Sequence, residues 1–166
     1  MSDHHHHGTG QSHDSHGHDA LAAAEAHCAS LGLRLTETRR HVFEALAGNP
    51  QAMGAYDLID ALANRGHKRL APISVYRALD FLQEAGLAHK IESRNAFVAC
   101  PHRHGANDVV VFMICDHCGR VEEATSDAFS KAMAGVAKSM RFAPRGQVVE
   151  MHGRCSGCGP DAVMTA

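Results

Sequence analysis

Residues 75–99, VYRALDFLQEAGLAHKIESRNAFVA, decide the fold of the amino-terminal half of the chain. Leucines at helical spacing in the first part of this stretch predict a helix that ends before Gly86. Glycine is the residue that most commonly follows the last turn of a helix. Beyond Gly86, apolar and polar residues alternate on both sides of a turn at Ser93-Arg94-Asn95, which predicts a two-stranded hairpin. The stretch is therefore expected to form a helix followed directly by a β-hairpin.

Apolar patterns upstream predict further helices in the same half, separated by glycine and proline. The predicted helices are Ala20–Leu31, Thr36–Ala47 with Thr36 as its N-cap, Ala55–Arg65 and Val75–Ala85. Short helices followed by a hairpin have the order of a winged helix-turn-helix, in which residues 55–65 and 75–85 are the helix pair and 87–99 are the wing. The second helix of such a pair enters the DNA major groove.

Two cysteine pairs dominate the carboxy-terminal half: Cys115-x-x-Cys118 and Cys155-x-x-Cys158. Paired C-x-x-C knuckles at this separation are typical of a tetrahedral zinc site with four thiolate ligands. Such a site is structural, because four protein ligands leave no open coordination position. The alternative is a set of buried or redox-active thiols.

The pattern around these knuckles predicts a small domain of strands and one helix. The expected elements are strands Val109–Cys115 and Gly119–Thr125, helix Ser126–Phe142 and strand Gln147–Gly153. One face of the helix is apolar and is expected to fill the core with Phe129, Met133, Val136 and Met140. A core of this size is marginal, so a zinc site and dimerisation would both stabilise the domain.

The predicted fold class is α+β: an N-terminal winged helix-turn-helix DNA-binding domain followed by a small α/β dimerisation domain with a four-cysteine zinc site. The domain boundaries are expected at 1–19, 20–99, 100–108 and 109–166. The first segment holds seven of the 15 histidines and no core-forming pattern, which predicts a disordered tail. It is either a weak collector of metal ions or an idle tail or tag remnant. Residues 100–108 are the expected hinge linker.

A second metal site is predicted at the hinge, on His89, Cys100, Asp108 and Glu123. The first two residues flank the wing, and Glu123 lies on the strand after the first knuckle. Mixed nitrogen, sulfur and oxygen ligands suit zinc. A site shared by two domains responds to zinc concentration, because its binding energy depends on their mutual orientation. His102 and His104 in the linker are competing ligands, and isolated surface residues are the alternative.

The net charge of −2 is unevenly distributed: residues 1–29 hold four acids and no Lys or Arg, whereas 30–100 hold nine basic against seven acidic residues. Arg77 can offer a bidentate fork to guanine, and Tyr76 can contact a thymine methyl or a phosphate. Tyr56, Arg69 and Ser74 complete the predicted DNA-binding residues. Further phosphate contacts are expected from Lys68, Arg39, Arg40, Lys90 and Arg94. An ordinary solvated helix face is the alternative.

Other classes of protein are disfavoured by the sequence. No apolar run approaches the roughly 20 residues of a membrane helix, and no export signal opens the chain, so a cytoplasmic location is expected. A nucleobase deaminase would carry H-x-E, which occurs nowhere. No nucleophile–base arrangement is recognisable, so we expect neither an enzyme nor a small-molecule substrate. A zinc enzyme or thiol redox protein is the alternative from a different class.

The stretch from Leu33 to Cys158 resembles the ferric uptake regulator family in the order and spacing of its motifs. These motifs are Leu35-Thr36-x-x-Arg39, Ala55-Tyr56-Asp57-Leu58, Val75-Tyr76-Arg77-Ala78-Leu79, Ile114-Cys115-Asp116-x-Cys118-Gly119-x-Val121 and Gly153-x-Cys155-x-x-Cys158. Within the family, residues 76–82 and the segment from His89 to Cys100 are most like the zinc uptake regulator branch.

This resemblance implies a homodimeric, zinc-dependent repressor of zinc-uptake genes that binds a double-stranded DNA operator. It implies two zinc ions per chain, a structural one on the four paired cysteines and a regulatory one on His89, Cys100 and Glu123. It also implies that Tyr76 and Arg77 read bases. The second regulatory histidine of the branch falls on Asp108, so Asp108 or a linker histidine is the expected fourth ligand. Residues 109–112 replace a histidine-rich run of the iron-sensing branch, which disfavours the alternative of an iron- or peroxide-responsive regulator.

Overall fold

The computed structural model describes residues 13–100, 109–144 and 148–159. Within these ranges the chain forms five α-helices, a two-stranded hairpin and a three-stranded sheet. Four helices and the hairpin come first, and the sheet with the fifth helix follows, so the predicted α+β fold is confirmed. In the part of the chain described, no helix combines the length and apolar character needed to cross a membrane.

The first four helices pack around one hydrophobic core. They are α1 (His13–Ser30), α2 (Glu37–Ala47), α3 (Ala55–Asn64) and α4 (Pro72–Glu84). Each contributes an apolar face at helical spacing, and the shared core includes Cys28, Leu46, Leu58, Leu79 and Leu82. The last of these helices begins before the predicted Val75, because proline suits the first helical turn, where an N–H has no intrahelical partner.

Helix α1 starts earlier than the predicted Ala20. It begins at His13, and residues 1–12 lie outside the described part, where the predicted tail stays a prediction. The alanine-rich stretch that follows residue 19 forms helix readily, and adding residues to an existing helix is much easier than nucleating one. The polar residues before it therefore continue the helix without any apolar pattern of their own.

The wing follows α4 directly. Strands β1 (Ala88–Ile91) and β2 (Ala96–Ala99) pair antiparallel, with Ala88 opposite Ala99. Residues Glu92–Arg94 form a 3₁₀ turn at the tip, and Asn95 takes the left-handed conformation with φ 46°. Asparagine is one of the few residues other than glycine that adopts this conformation readily. The predicted hairpin and its turn are thus present.

The carboxy-terminal half is built on β3 (Val110–Cys115) at the centre of a sheet. Strand β4 (Val121–Thr125) pairs with it antiparallel on one side, and β5 (Val148–Gly153) pairs parallel on the other. Helix α5 (Asp127–Ser139) follows β4 and is capped by Ser126, whose hydroxyl accepts a hydrogen bond from the amide of Phe129.

The apolar face of α5 does not fill a core within this chain. No residue of the helix is buried, and Val136 and Met140 are largely exposed. The prediction that these side chains, with Phe129 and Met133, are core residues is therefore wrong for the single chain. Amphipathic spacing shows which face is apolar but not which molecule covers it.

A second hydrophobic cluster joins the wing to the sheet. It consists of Ile91 and Val98 from the hairpin and Val110, Phe112 and Ile114 from β3. The amide of Val121 also donates a hydrogen bond to the carbonyl of Pro50, 3.0 Å away. The sheet therefore contacts both the hairpin and the loop between α2 and α3.

Candidate metal centres and nucleic-acid interface

The four paired cysteines converge at one end of the sheet. Cys115 ends β3, Cys118 follows in the knuckle turn, and Cys155 and Cys158 come directly after β5. Because β3 and β5 are parallel neighbours, the two knuckles meet at the same edge. The four sulfur atoms lie within 4.8 Å of one another.

The spacing of the sulfurs fits zinc. Cys118 Sγ and Cys155 Sγ are 3.7 Å apart. Four ligands arranged tetrahedrally with Zn–S bonds of about 2.3 Å would have sulfurs about 3.8 Å from one another. The four thiols are thus placed where a tetrahedral zinc site needs them.

The thiols of this cluster differ in acidity when no metal is bound. Backbone N–H groups of Cys118 and Cys155 point at the sulfur of Cys115 and lower the pKa of its thiol to about 5. Hydrogen bonds with the thiols of Cys155 and Cys118 raise the pKa of Cys158 to about 12. A metal ion stabilises several thiolates at once, because its positive charge offsets their mutual repulsion.

The second cluster lies between the wing and β4. It joins His89 of β1, Cys100 at the base of the hairpin and Glu123 of β4, whose ligand atoms lie within 4.8 Å of one another. Cys100 Sγ is 4.0 Å from a carboxylate oxygen of Glu123. The ring of His89 also packs against Phe112 of β3, with 5.2 Å between ring centroids. The cluster thus contains ligands from both halves of the chain.

The other predicted ligands of this site are the three residues of the linker. Asp108, His102 and His104 lie outside the described residues. The three ligands that are described supply one nitrogen, one sulfur and one oxygen, a set that suits zinc.

The exposed face of α4 carries the predicted base-reading residues. Tyr76 and Arg77 are exposed, Ser74 is half-buried, and the opposite face holds the core residues Val75 and Leu79. Tyr56, in the first turn of α3, is also exposed. Arg69 is exposed as well and forms an ion pair with Asp60 at 3.0 Å.

Two arginines predicted to meet phosphates have other partners. Arg39 lies over the ring of Phe81 and donates a hydrogen bond to the carbonyl of Arg34. Arg94 donates to the carbonyl of Cys115 in the other half of the chain. Their contact with DNA phosphates stays a prediction.

Sequence reasoning missed three residues at these sites. Ile73 is 58% exposed and lies on α4 one turn before Tyr76 and Arg77. It was missed because the predicted helix began at Val75, which left Ile73 outside it. Gln51 and Glu150 contact the opposite half of the chain through their side chains. Contacts between residues so distant in sequence leave no local pattern.

Residues 30–152 match the model of the "Ferric uptake regulator family". The chain belongs to the ferric uptake regulator family. Among curated members, the zinc uptake regulation protein of Escherichia coli (strain K12) is 39% identical over 140 residues, which cover 84% of this chain and 81% of that protein. The ferric uptake regulation protein of Cupriavidus metallidurans is 27% identical over 130 residues, covering 76% and 87% of the two chains.

Solved structures of the ferric uptake regulator family agree with this membership. A zinc uptake regulator in complex with zinc and DNA aligns with a TM-score of 0.77 at 37% identity, covering 86% of this chain and 94% of that one. Holo XcZur aligns with a TM-score of 0.75 at 39% identity, covering 84% and 96%. Apo XcZur aligns with a TM-score of 0.50 at 37% identity, covering 87% of this chain and 98% of that one. The present chain therefore resembles the holo form of XcZur in shape more than the apo form.

Proposed function

We propose that this chain is a zinc-responsive, DNA-binding transcriptional repressor of metal-uptake genes. The observation that carries the proposal is the cluster of His89, Cys100 and Glu123, which joins the wing to the sheet. The proposal is also supported by the similarity of this chain to zinc uptake regulators, one of which was solved in complex with zinc and DNA. A site assembled from two domains can report zinc concentration as a change in their mutual orientation.

The chain's own residues would transmit that change. Zinc bound at the hinge would supply a bond between the two halves, with a linker residue, Asp108 first among them, as the fourth ligand. His89 lies on β1, which follows α4 after a short turn, so fixing the wing also fixes the helix that presents Tyr76 and Arg77. A DNA-binding domain with a fixed orientation binds DNA more tightly, because a smaller fraction of the molecules is in orientations that cannot bind.

Direct reading of DNA is assigned to the exposed face of α4. Arg77 is free of any competing ion pair among the described contacts, and its fork suits the acceptor pair of guanine. Tyr76 stands beside it on the same face. Tyr56 and Arg69 are assigned to the phosphate backbone, which positions the protein without specifying sequence.

A homodimer would give the exposed face of α5 a partner. Phe129, Val136 and Met140 form an apolar stripe that no other described part of the chain buries. Exposed patches of this kind mark association surfaces in soluble proteins. A symmetric dimer would present two copies of α4, as recognition of paired half-sites in successive grooves requires.

Two zinc ions per chain are proposed, a structural one on the four cysteines and an exchangeable one at the hinge. The thiolate at the hinge favours zinc over a hard ion and disfavours the alternative of an iron- or peroxide-responsive regulator. Catalytic alternatives, a zinc enzyme or a thiol redox protein, are disfavoured because the four paired thiols face one another. Metal analysis of the purified protein, and the metal that restores DNA binding, would separate these candidates.

The decisive experiment compares Cys100→Ala with Cys28→Ala. Cys28 is buried in α1, away from both clusters, and serves as the matched control. The ligand is a duplex selected from random sequences by the zinc-loaded wild type, and binding is measured by fluorescence anisotropy across buffered free zinc. We expect zinc to raise the affinity of wild type and Cys28→Ala by about 5- to 150-fold, the usual range of coupling between sites.

In Cys100→Ala the zinc response should disappear and zinc content should fall by one ion per chain. A normal zinc response in this variant would show that the hinge assignment is wrong. Undiminished DNA binding by wild type that retains only its thiolate-bound zinc would overturn zinc regulation itself.

A further inference from the structure

We propose that the tip of the wing is a further interdomain contact that positions α4 for DNA binding. In it, Glu150 of β5 binds the wing tip, and Arg94 and Gln51 bind the first cysteine knuckle. This proposal rests on the proposed function, because it concerns how α4 is held for DNA binding. Its contacts lie at the opposite end of the hairpin from the hinge cluster. We refer to the contacts of these three residues as the wing-tip contact.

Glu150 provides the clearest part of the wing-tip contact. Its side chain lies on β5 and is only 14% exposed. One carboxylate oxygen accepts a hydrogen bond from the amide of Glu92 at 2.6 Å, and the other accepts from the amide of Ser93 at 3.2 Å. Both amides belong to the 3₁₀ turn at the tip of the wing. Two charge-assisted bonds from one largely buried carboxylate make a strong and directional contact.

The other two residues bind the backbone of the first knuckle. Arg94 donates to the carbonyl of Cys115 at 3.3 Å and lies 3.5 Å from the carboxylate of Asp116. Gln51 donates from its side-chain amide to the carbonyl of Cys118. Both donors come from the helical domain, and both acceptors are carbonyls of residues whose sulfurs are in the four-cysteine cluster. The knuckle must be folded for these carbonyls to be in place.

The glycine of the knuckle lies beside both donors. Gly119 has φ +74°, a conformation that favours glycine. A Cβ there would be in ordinary van der Waals contact with Gln51 Nε2 at 3.4 Å and Arg94 Nη1 at 3.6 Å, so glycine is needed at this turn for its backbone conformation.

The position of these contacts determines what they do. His89 lies near the base of the hairpin and Glu92 at its tip, about 10 Å apart along an extended strand. The hydrophobic cluster packs Ile91 and Val98 of the hairpin against β3. The wing-tip contact adds directional hydrogen bonds at the far end of the hairpin, and these limit its rotation about the hinge. The four-cysteine cluster, through the wing-tip contact, is therefore coupled to the orientation of α4 and is not only a staple within its own domain.

The test is Glu150→Gln, with Glu122→Gln as its matched control. Glu122 is an exposed acid on the other edge strand, where it pairs with Arg120. Both substitutions remove one negative charge, which by itself would slightly strengthen binding to DNA. A loss of affinity confined to Glu150→Gln thus has the opposite sign to the charge effect.

Two measurements are made at saturating zinc. The first is affinity for the selected duplex, which we expect to fall about tenfold in Glu150→Gln, equivalent to about 1.4 kcal/mol, and to stay unchanged in Glu122→Gln. The second is hydrogen exchange of the wing, where the amides of Glu92 and Ser93 should exchange faster in Glu150→Gln only. Zinc content should remain two per chain in both variants.

Wild-type affinity and wild-type exchange of the wing amides in Glu150→Gln would overturn the proposal. Faster exchange with unchanged affinity would also overturn it, because the contact would then be structural only. If Glu150→Gln loses zinc or fails to fold, Gln51→Ala is the deciding variant, because Gln51 is exposed and its replacement leaves the core intact. If the proposal is correct, Gln51→Ala should weaken DNA binding severalfold. Failure of wild type itself to bind DNA would instead count against the proposed function.

Discussion

The guanidinium carbon of Arg39 lies 3.5 Å from the centroid of the Phe81 ring. Arg39 belongs to α2, and Phe81 lies on α4, where it is almost fully buried. The same guanidinium donates a hydrogen bond to the carbonyl of Arg34 at 2.9 Å. A cation stacked on an aromatic face is a substantial packing interaction. The core-facing side of α4 is therefore held in part by a charged residue of α2.

We expect Arg39→Met to destabilise the helical domain by about 1–2 kcal/mol, because it removes the cation and its hydrogen bond but keeps a long apolar stem. The neighbouring Arg40→Met is the control. Arg40 pairs with Glu25 at 2.6 Å, but both side chains are more than 40% exposed, so the change should be below about 1 kcal/mol. Urea unfolding at fixed free zinc measures both. An equal decrease in the free energy of unfolding in both variants would contradict the packing role of Arg39.

Removal of one knuckle thiol should release one zinc ion and unfold the small domain. Cys155→Ala leaves three thiols, and structural zinc in small domains contributes on the order of 10 kcal/mol to folding. The control is Cys28→Ser, which lies outside both metal clusters. Plasma mass spectrometry gives the zinc content, and hydrogen exchange of β3 reports folding. Full zinc content in Cys155→Ala would show that the four cysteines do not share an ion.

The helices and the hairpin could be predicted because their signals are local. Apolar spacing fixed the inward faces, and Gly86, with φ 69°, ends α4 where the sequence indicated. The first residues of α1 and α4 could not be predicted from apolar pattern, since polar residues and Pro72 extend the two helices. The exposure of α5 was also hidden, because a sequence pattern cannot show whether an apolar face is covered by the same chain.

The candidate metal sites could also be predicted from the sequence, because their signals are local. Cysteine pairs carry a spacing that identifies their chemistry, and His89 and Cys100 flank a hairpin whose ends must be close. The wing-tip contact had no such signal: Glu92 and Glu150 are 58 residues apart, and the bond uses a backbone amide that every residue except proline possesses. Only the packing of the two halves reveals it.

Ile73 should contribute to operator choice through contact with a thymine methyl. It is exposed one turn before Arg77 on the outer face of α4. We expect Ile73→Ala to reduce discrimination at an A·T position, and Arg77→Ala to reduce it at a G·C position by about 1–3 kcal/mol. The measurement is repeated selection from random duplexes. Lys131→Ala on α5 is the control, and identical selected sequences for all variants would exclude α4 as the reading helix.

A charge on the apolar face of α5 should dissociate the proposed dimer. Val136→Glu places a carboxylate among Phe129, Met133 and Met140, where burial at an interface would be costly. Lys131→Glu is the control, because at 100° per residue it lies on the opposite face. Light scattering after gel filtration should show a monomer for Val136→Glu and a dimer for the control. A dimer in both would place the interface elsewhere.

The wing-tip contact should weaken in acid. Burial raises the pKa of Glu150, but hydrogen bonds from the Ser93 side chain and from the amides of Glu92 and Ser93 outweigh it, so its pKa lies below the usual 4.5. The titratable groups around it are His152, whose Nε2 is 3.9 Å away, and the pair of Glu92 with Lys90. Because the folded pKa is below the unfolded one, this stabilisation is complete above about pH 4.5 and is lost as the pH falls through the folded pKa.

Glu150→Gln cannot titrate, so its unfolding free energy should differ from wild type by a constant amount near neutral pH. That difference should shrink as the pH falls below about 4.5. Zinc release in acid affects both proteins and cancels in the comparison. Urea unfolding across this range measures the effect, and Glu122→Gln should show no such trend. A difference that grows towards low pH would mean that Glu150 binds the wing more strongly when protonated, which is incompatible with two amide donors on its oxygens.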